Sequence, residues 1–159
     1  MKKHNKNMIS YWAGLFDGEG CVMISKGRND RANPCYVLRV SLHNTNKYII
    51  YLLRFYFGYG CVSFALRSKE AKRRDIYSWG VANRQAYEFL KLIEPYVIIK
   101  KAEVAIALKF QEQVQEQSQY TKKTFSTKLT DETLAVREAQ RIALQQLKRL
   151  PVEPPSLTA

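Results

Sequence analysis

Two glycines four residues apart constrain this chain more than any other feature. Gly14 and Gly18 lie in SYWAGLFDGEGC, residues 10–21, where the apolar run Tyr11-Trp12-Ala13-Gly14-Leu15-Phe16 gives way to Asp17-Gly18-Glu19-Gly20. On a helix this spacing puts both glycines on one face with Ala13 beside them. With no side chain to hold it away, a second helix can approach that face backbone to backbone. Gly18 and Gly20 are expected to stop the helix, leaving carbonyls without intrahelical partners next to the charge of Glu19. Carbonyl and carboxylate oxygens together suit a hard divalent cation. The plainer alternative is an apolar first helix, a glycine stop and an exposed acid.

Charge narrows the partners. The net charge is +12, and residues 1–84 hold 15 Lys/Arg against 5 Asp/Glu while residues 85–159 hold 11 against 9. The asymmetry suggests one basic face on a more neutral body, and a nucleic-acid backbone is the obvious polyanion. A membrane surface is disfavoured, because the basic residues fall mostly on predicted strands and turns rather than on an amphipathic helix. With 159 residues and 46% hydrophobic content, the chain is expected to fold as one domain with a real core. No apolar run is long enough to span a bilayer, and the basic start MKKHNKN does not lead into a signal-like apolar stretch, so an intracellular location is expected. Cys21, Cys35 and Cys61 are odd in number and form no C-x-x-C pair, which favours reduced thiols, and His4 and His43 are too isolated to suggest a metal site.

Along the chain, residues 1–8 read as a basic, mobile leader, followed by a helix over about 10–18. Strands are expected over 21–28 and 35–43, joined by the polar turn 29–34; Val22 and Ile24 alternate with Met23 and Ser25, and Tyr36, Leu38, Val40 and Leu42 alternate with Val37, Arg39 and Ser41. A helix over 47–57 carries Ile49, Ile50, Leu52, Leu53 and Phe57. A second hairpin follows over 61–82, with a very basic turn. Asn83 is expected to cap a helix over 84–93 that Pro95 ends. Further helices are expected over about 100–117 and 131–150, the second capped by Thr130, with 118–129 irregular and 151–159 a disordered tail. Residues 9–150 thus form a single domain whose C-terminal extension covers about 118–150. The fold class is α+β: four antiparallel strands with helices on one face and the other face open to a partner.

WAGLFDGEG resembles the signature of the LAGLIDADG homing endonucleases, an Ala-Gly pair followed by two apolar residues and Asp-Gly-acid-Gly, and the resemblance extends over about residues 8–110. It implies an αββαββα core with a saddle-shaped antiparallel sheet along the DNA major groove, plus C-terminal helices. One copy of the motif implies a homodimer packed through Trp12, Ala13, Gly14, Asp17 and Gly18. A two-fold dimer implies a pseudo-palindromic site; strands of about 8 residues at ~3.3 Å each cover roughly 8 base pairs, so two sheets and a central step give about 20.

The implied chemistry is divalent-metal-dependent hydrolysis of one phosphodiester per strand. The resemblance carries over Glu19 and the Gly18 carbonyl as ligands of Mg2+, with Mn2+ a substitute, and matches Asn44, Lys47 and Lys100 to catalytic positions around the attacking water. Glu at position 19 departs from the more familiar Asp but keeps the carboxylate. Bland roles are also open: a cap for Asn44, a solvated side chain for Lys47, a helix start for Lys100. By alternation and by charge, DNA contacts are expected from Met23, Ser25, Arg28, Arg31, Val37, Arg39, Ser41, Ser63, Arg67, Lys69, Arg73, Arg74 and Ser78. Two rivals use the same scaffold: an RNA maturase acting on structured intron RNA, and a DNA-binding protein without catalysis. Retention of Glu19 and Lys100 argues against the second.

Overall fold

A computed structural model describes residues 5–27, 34–65, 74–124 and 129–149, with backbone only for 120–124. Helix α1 (Lys6–Glu19) starts four residues earlier than expected, because the Asn5 side chain accepts a hydrogen bond from the Asn7 N–H and caps it. Residues 5–8 are therefore not part of a free leader, and Met8 packs on the core. Gly18 does not stop the helix either; α1 runs through Glu19 and passes at Gly20 directly into an extended strand. Gly20 is required there, since a Cβ would overlap the Phe16 ring and carbonyl oxygen.

Strands β1 (Gly20–Lys26) and β2 (Tyr36–Asn44) pair antiparallel, helix α2 (Lys47–Phe57) follows, and β3 (Cys61–Ala65) and β4 (Ile76–Ala82) form the second hairpin. The hairpins join through β2 and β4, giving the order β1-β2-β4-β3 in one antiparallel sheet. This is the α+β architecture read from the sequence. Helix α3 (Asn83–Ile93) begins without a side-chain cap. Asn83, expected to cap it, instead takes a left-handed φ of 49° at the strand-to-helix corner. After a 3-10 turn at Glu94–Tyr96, α4 (Lys101–Thr124) extends seven residues past the expected end, absorbing part of the stretch read as irregular. Helix α5 (Asp131–Leu147) is capped by Thr130 as expected.

One core joins these elements among the described residues. Trp12 and Phe16 of α1, Val22, Leu38, Val40 and Leu42 of the sheet, Ile50 and Leu53 of α2, Phe89 and Leu90 of α3 and Val104 of α4 are all buried. Phe57, Trp79 and Phe89 meet ring to ring, with centroids 5.1–6.0 Å apart. Gly60, with φ of 92°, brings the turn after α2 against the Trp79 indole, whose N–H donates to the Tyr59 carbonyl at 3.1 Å. Tyr36 and Trp79 are core residues, as the alternation required.

Helix α5 packs along β1, the edge strand, and on α4. Leu144 is buried, and Glu138 accepts from Tyr36 Oη at 2.6 Å while pairing with Arg141 at 2.6 Å and Lys26 at 3.3 Å. The Arg141 guanidinium, then the Tyr36 hydroxyl, lowers the Glu138 carboxyl to about 2 from an ordinary 4.5. A lowered pKa in the folded state means stability that is full above about 4.5 and lost as pH falls through about 2. Glu138→Gln is therefore expected to cost about 1 kcal/mol at neutral pH and to flatten the acid limb of a thermal-midpoint-against-pH curve. An unchanged acid limb would show that Glu138 does not hold α5 down.

Candidate functional site

The end of α1 is where separate elements converge. Asp17 is buried, and its carboxylate accepts three consecutive backbone N–H groups: Ile98 at 2.7 Å and Ile99 at 3.3 Å on Oδ2, and Lys100 at 3.0 Å on Oδ1. These residues lead into α4, whose first turn is closed by Val104 N–H donating to the Lys100 carbonyl at 2.9 Å. Asp17 thus acts as a remote cap 81 to 83 residues away, its charge set at the positive end of α4. The fit is reciprocal, because the Lys100 ammonium donates to the Asp17 carbonyl. These bonds place Lys100 beside the motif.

Glu19 and Gly18 are exposed at this same end. Glu19 has no hydrogen bond or ion pair among the described residues, and the space around Gly18 is open. An unengaged carboxylate next to terminal helix carbonyls is a donor set of oxygens, which fits a hard divalent cation such as Mg2+. Among the described residues no three His, Cys, Asp or Glu side chains stand close enough to hold a metal between them.

The other two expected catalytic residues flank the turn into α2, and Asn44 lines a cleft with Tyr11 and Leu15 of α1. Asn44 pairs with Tyr77 and so lies on the helix-bearing side of the sheet by alternation; its Oδ1 accepts from the Asn46 N–H at 2.8 Å, holding the turn into α2. Asn46, not Asn44, caps that helix. Lys47 is exposed in the first turn of α2 with its ammonium over the Tyr51 ring, 5.4 Å from the centroid.

Trp12, Ala13 and Asp17, expected on a dimer face, are buried within the chain itself: Trp12 and Ala13 have no exposed surface. The helix face left free carries Tyr11, Gly14 and Gly18, and neither glycine has an atom within 4 Å of where a Cβ would be. Met8 and Leu15 continue it into a cleft shared with Ile49 and Leu52 of α2.

The open side of the sheet collects the expected DNA-contacting residues of the described strands. Met23 lies opposite Arg39, Ser25 opposite Val37, and Ser63 opposite Ser78, with Ser41 in the same shallow depression as Met23, Arg39, Ser63 and Ser78. Arg39 donates to Ser25 Oγ at 3.1 Å. No Asp or Glu lies on this face among the described strand residues. His43, passed over in the sequence as isolated, stands in the middle of it, 2.7 Å from Ser78 Oγ and 3.1 Å from Ser41 Oγ. The signal was present: His43 continues the Val37, Arg39, Ser41 alternation by one step. Arg74 is exposed just before β4, while Arg28, Arg31, Arg67, Lys69, Arg73 and the tail 151–159 lie outside the described residues.

Comparison with known proteins sharpens the picture. A family model described as LAGLIDADG endonuclease matches residues 12–112. The homing endonuclease I-CvuI, solved in complex with its target in calcium, superposes with a TM-score of 0.71 at 13% identity over 94% of this chain and 87% of that one. The archaeal intron-encoded homing endonuclease I-Vdi141I, complexed with DNA, gives 0.72 at 12% identity over 96% and 90%. For the meganuclease I-SmaMI bound to uncleavable DNA the values are 0.67 and 16%, over 85% of this chain but 44% of that one. At these identities the likeness is one of fold. No curated protein matches the chain.

Proposed function

The chain belongs to the LAGLIDADG endonuclease family, and on that premise we propose that it is a site-specific DNA endonuclease cutting one phosphodiester in each strand with a divalent cation. The observation that carries this reading is the convergence at the end of α1: an exposed, unengaged Glu19, with the Lys100 ammonium fastened to the preceding turn through Asp17.

Glu19 and the Gly18 carbonyl would hold the cation, Mg2+ or Mn2+, which supplies water activation and charge neutralisation at the scissile phosphate. The I-CvuI complexes formed in magnesium and in calcium fit that choice of hard cation. Lys100 contributes an ammonium that stays at the site before substrate arrives, able to stabilise the charge that builds on the phosphoryl oxygens. The carboxylate-free open face, with Arg39, Ser25, Ser41, His43 and Ser78 on display, supplies groups that pair with base edges and phosphates in the major groove.

Two copies complete the site. One chain offers one carboxylate, and I-SmaMI, with room for two such units in a single chain, fits a duplicated version of the same plan. The second copy packs on the Tyr11, Gly14, Gly18 face, which sets the two Glu19 side chains near the two-fold axis and makes the target pseudo-palindromic. Gly14→Leu tests the interface: the added Cβ meets no atom of its own chain within 4 Å and the position is exposed, so the variant should fold yet shift light-scattering mass from dimer to the 18.5 kDa monomer. A Gly14→Leu protein that stays dimeric would place the interface elsewhere.

The function is tested by incubating the protein with a randomised duplex library in magnesium or calcium and sequencing the cut ends. Cuts confined to a long pseudo-palindrome in magnesium are the expected result. Tight DNA binding without cutting in any divalent cation would favour a binding protein, and preference for structured intron RNA a maturase.

A further inference from the structure

We propose that Lys148 is a phosphate-binding residue of this site, delivered by α5 to the edge of β1 and aimed at a backbone phosphate beside the scissile bond. The inference rests on the DNA reading above, but the residue lies outside the 12–112 stretch that matches the family.

The position follows from the sheet register. Cys21 lies opposite Ser41 on the open face, two residues beyond Glu19, and Lys148 Nζ is 3.1 Å from Cys21 Sγ. The ammonium therefore sits where β1 leaves the carboxylate end of α1, at the boundary between the cleavage site and the reading face. It is held there by more than its own contact. Leu144, one turn earlier, is buried against β1, and Glu138 ties α5 to Tyr36 and Lys26 at the other end of the strand. Lys148 follows the last helical residue of α5, where the negative pole of the helix favours a cation.

What surrounds the ammonium leaves it available. A thiol sulfur is a weak acceptor, and Lys148 has no ion pair within 4.0 Å among the described residues. The nearby acid is Glu103 in the first turn of α4, one of whose carboxylate oxygens is buried without a hydrogen bond. Burial pushes the Glu103 carboxyl above its ordinary range, and the Lys148 and Lys100 ammoniums pull it back. Glu103 thus lies in the field of both lysines without pairing with either among the described residues. The two cations arrive from the residue before α4 and the residue after α5 at the same end of α1, one beside the motif and one beside Cys21. A phosphate oxygen arriving at the β1 edge is a stronger acceptor for Lys148 than the sulfur it would leave.

The experiment is equilibrium binding of a mixed-sequence duplex in calcium across about 50–200 mM salt, where each lost phosphate contact lowers the log–log slope by about 0.9. Lys148→Met is expected to lower the slope by that amount for each protomer engaged, weakening all sequences alike, while Lys148→Arg restores it. Lys109→Met, which removes an exposed charge from α4, controls for net charge and should leave the slope at the wild-type value. An unchanged slope in Lys148→Met, or an equal drop in Lys109→Met, would overturn the proposal while leaving the endonuclease reading intact. A wild-type protein that binds no duplex at any salt would overturn both.

Discussion

Glu19→Gln is expected to cut DNA about 10³-fold more slowly or worse in magnesium, with duplex binding in calcium retained. Glutamine keeps the size and one oxygen of the side chain but removes the charge that would hold the cation. The prediction is sharp because Glu19 is exposed and engages no other described residue. Its replacement should therefore leave the thermal midpoint within about 2 °C of wild type, as for other surface positions. Activity and stability then separate cleanly, and single-turnover cleavage beside a melting curve reads both. A Glu19→Gln protein that cuts at the wild-type rate would remove the carboxylate from the mechanism and the central reading with it.

Asp17→Ala should do the opposite in kind, striking stability first. It strands the N–H groups of Ile98, Ile99 and Lys100 in a partly buried setting and strips the start of α4 of its negative partner. A loss of about 3 kcal/mol follows from leaving such donors unmade, or about 6–12 °C in midpoint for a chain of this size. Asp17→Asn keeps one acceptor oxygen and should lose less. Because the Lys100 ammonium is fastened to the same turn, cleavage should also fall at temperatures where Asp17→Ala is still folded. A variant melting with the wild type would show that the carboxylate is not what joins α1 to α4.

These two neighbours differ for a reason that the motif alone does not express. Asp17 and Glu19 are two residues apart at the end of one helix, so they point in different directions around its axis. One faces inward to the segment before α4 and the other outward to solvent. The carboxylate that the sequence offers as ligand is the outward one. Read in register with Arg39 and Ser41, the outward residue at the end of β2 is His43, while Asn44 falls on the helix side with Tyr77. Trp12 and Ala13 do not belong to the free face, because in the folded chain the apolar half of α1 is consumed by its own core, while Tyr11, Gly14 and Gly18 stay exposed.

The sequence by itself determined the order and type of the elements, the core face of each strand, the single copy of the motif and the carboxylate left at its end. Those features are local: alternation, helical spacing, glycines and caps act over a few residues and need no knowledge of distant ones. The tertiary structure alone decided that the two hairpins join through β2 and β4, that Asp17 caps a helix more than 80 residues away, and that α5 lies along the β1 edge with Lys148 over Cys21. Each of those depends on which distant groups meet once the apolar faces have packed. A buried carboxylate finds its N–H partners, and an edge strand its covering helix, only in three dimensions.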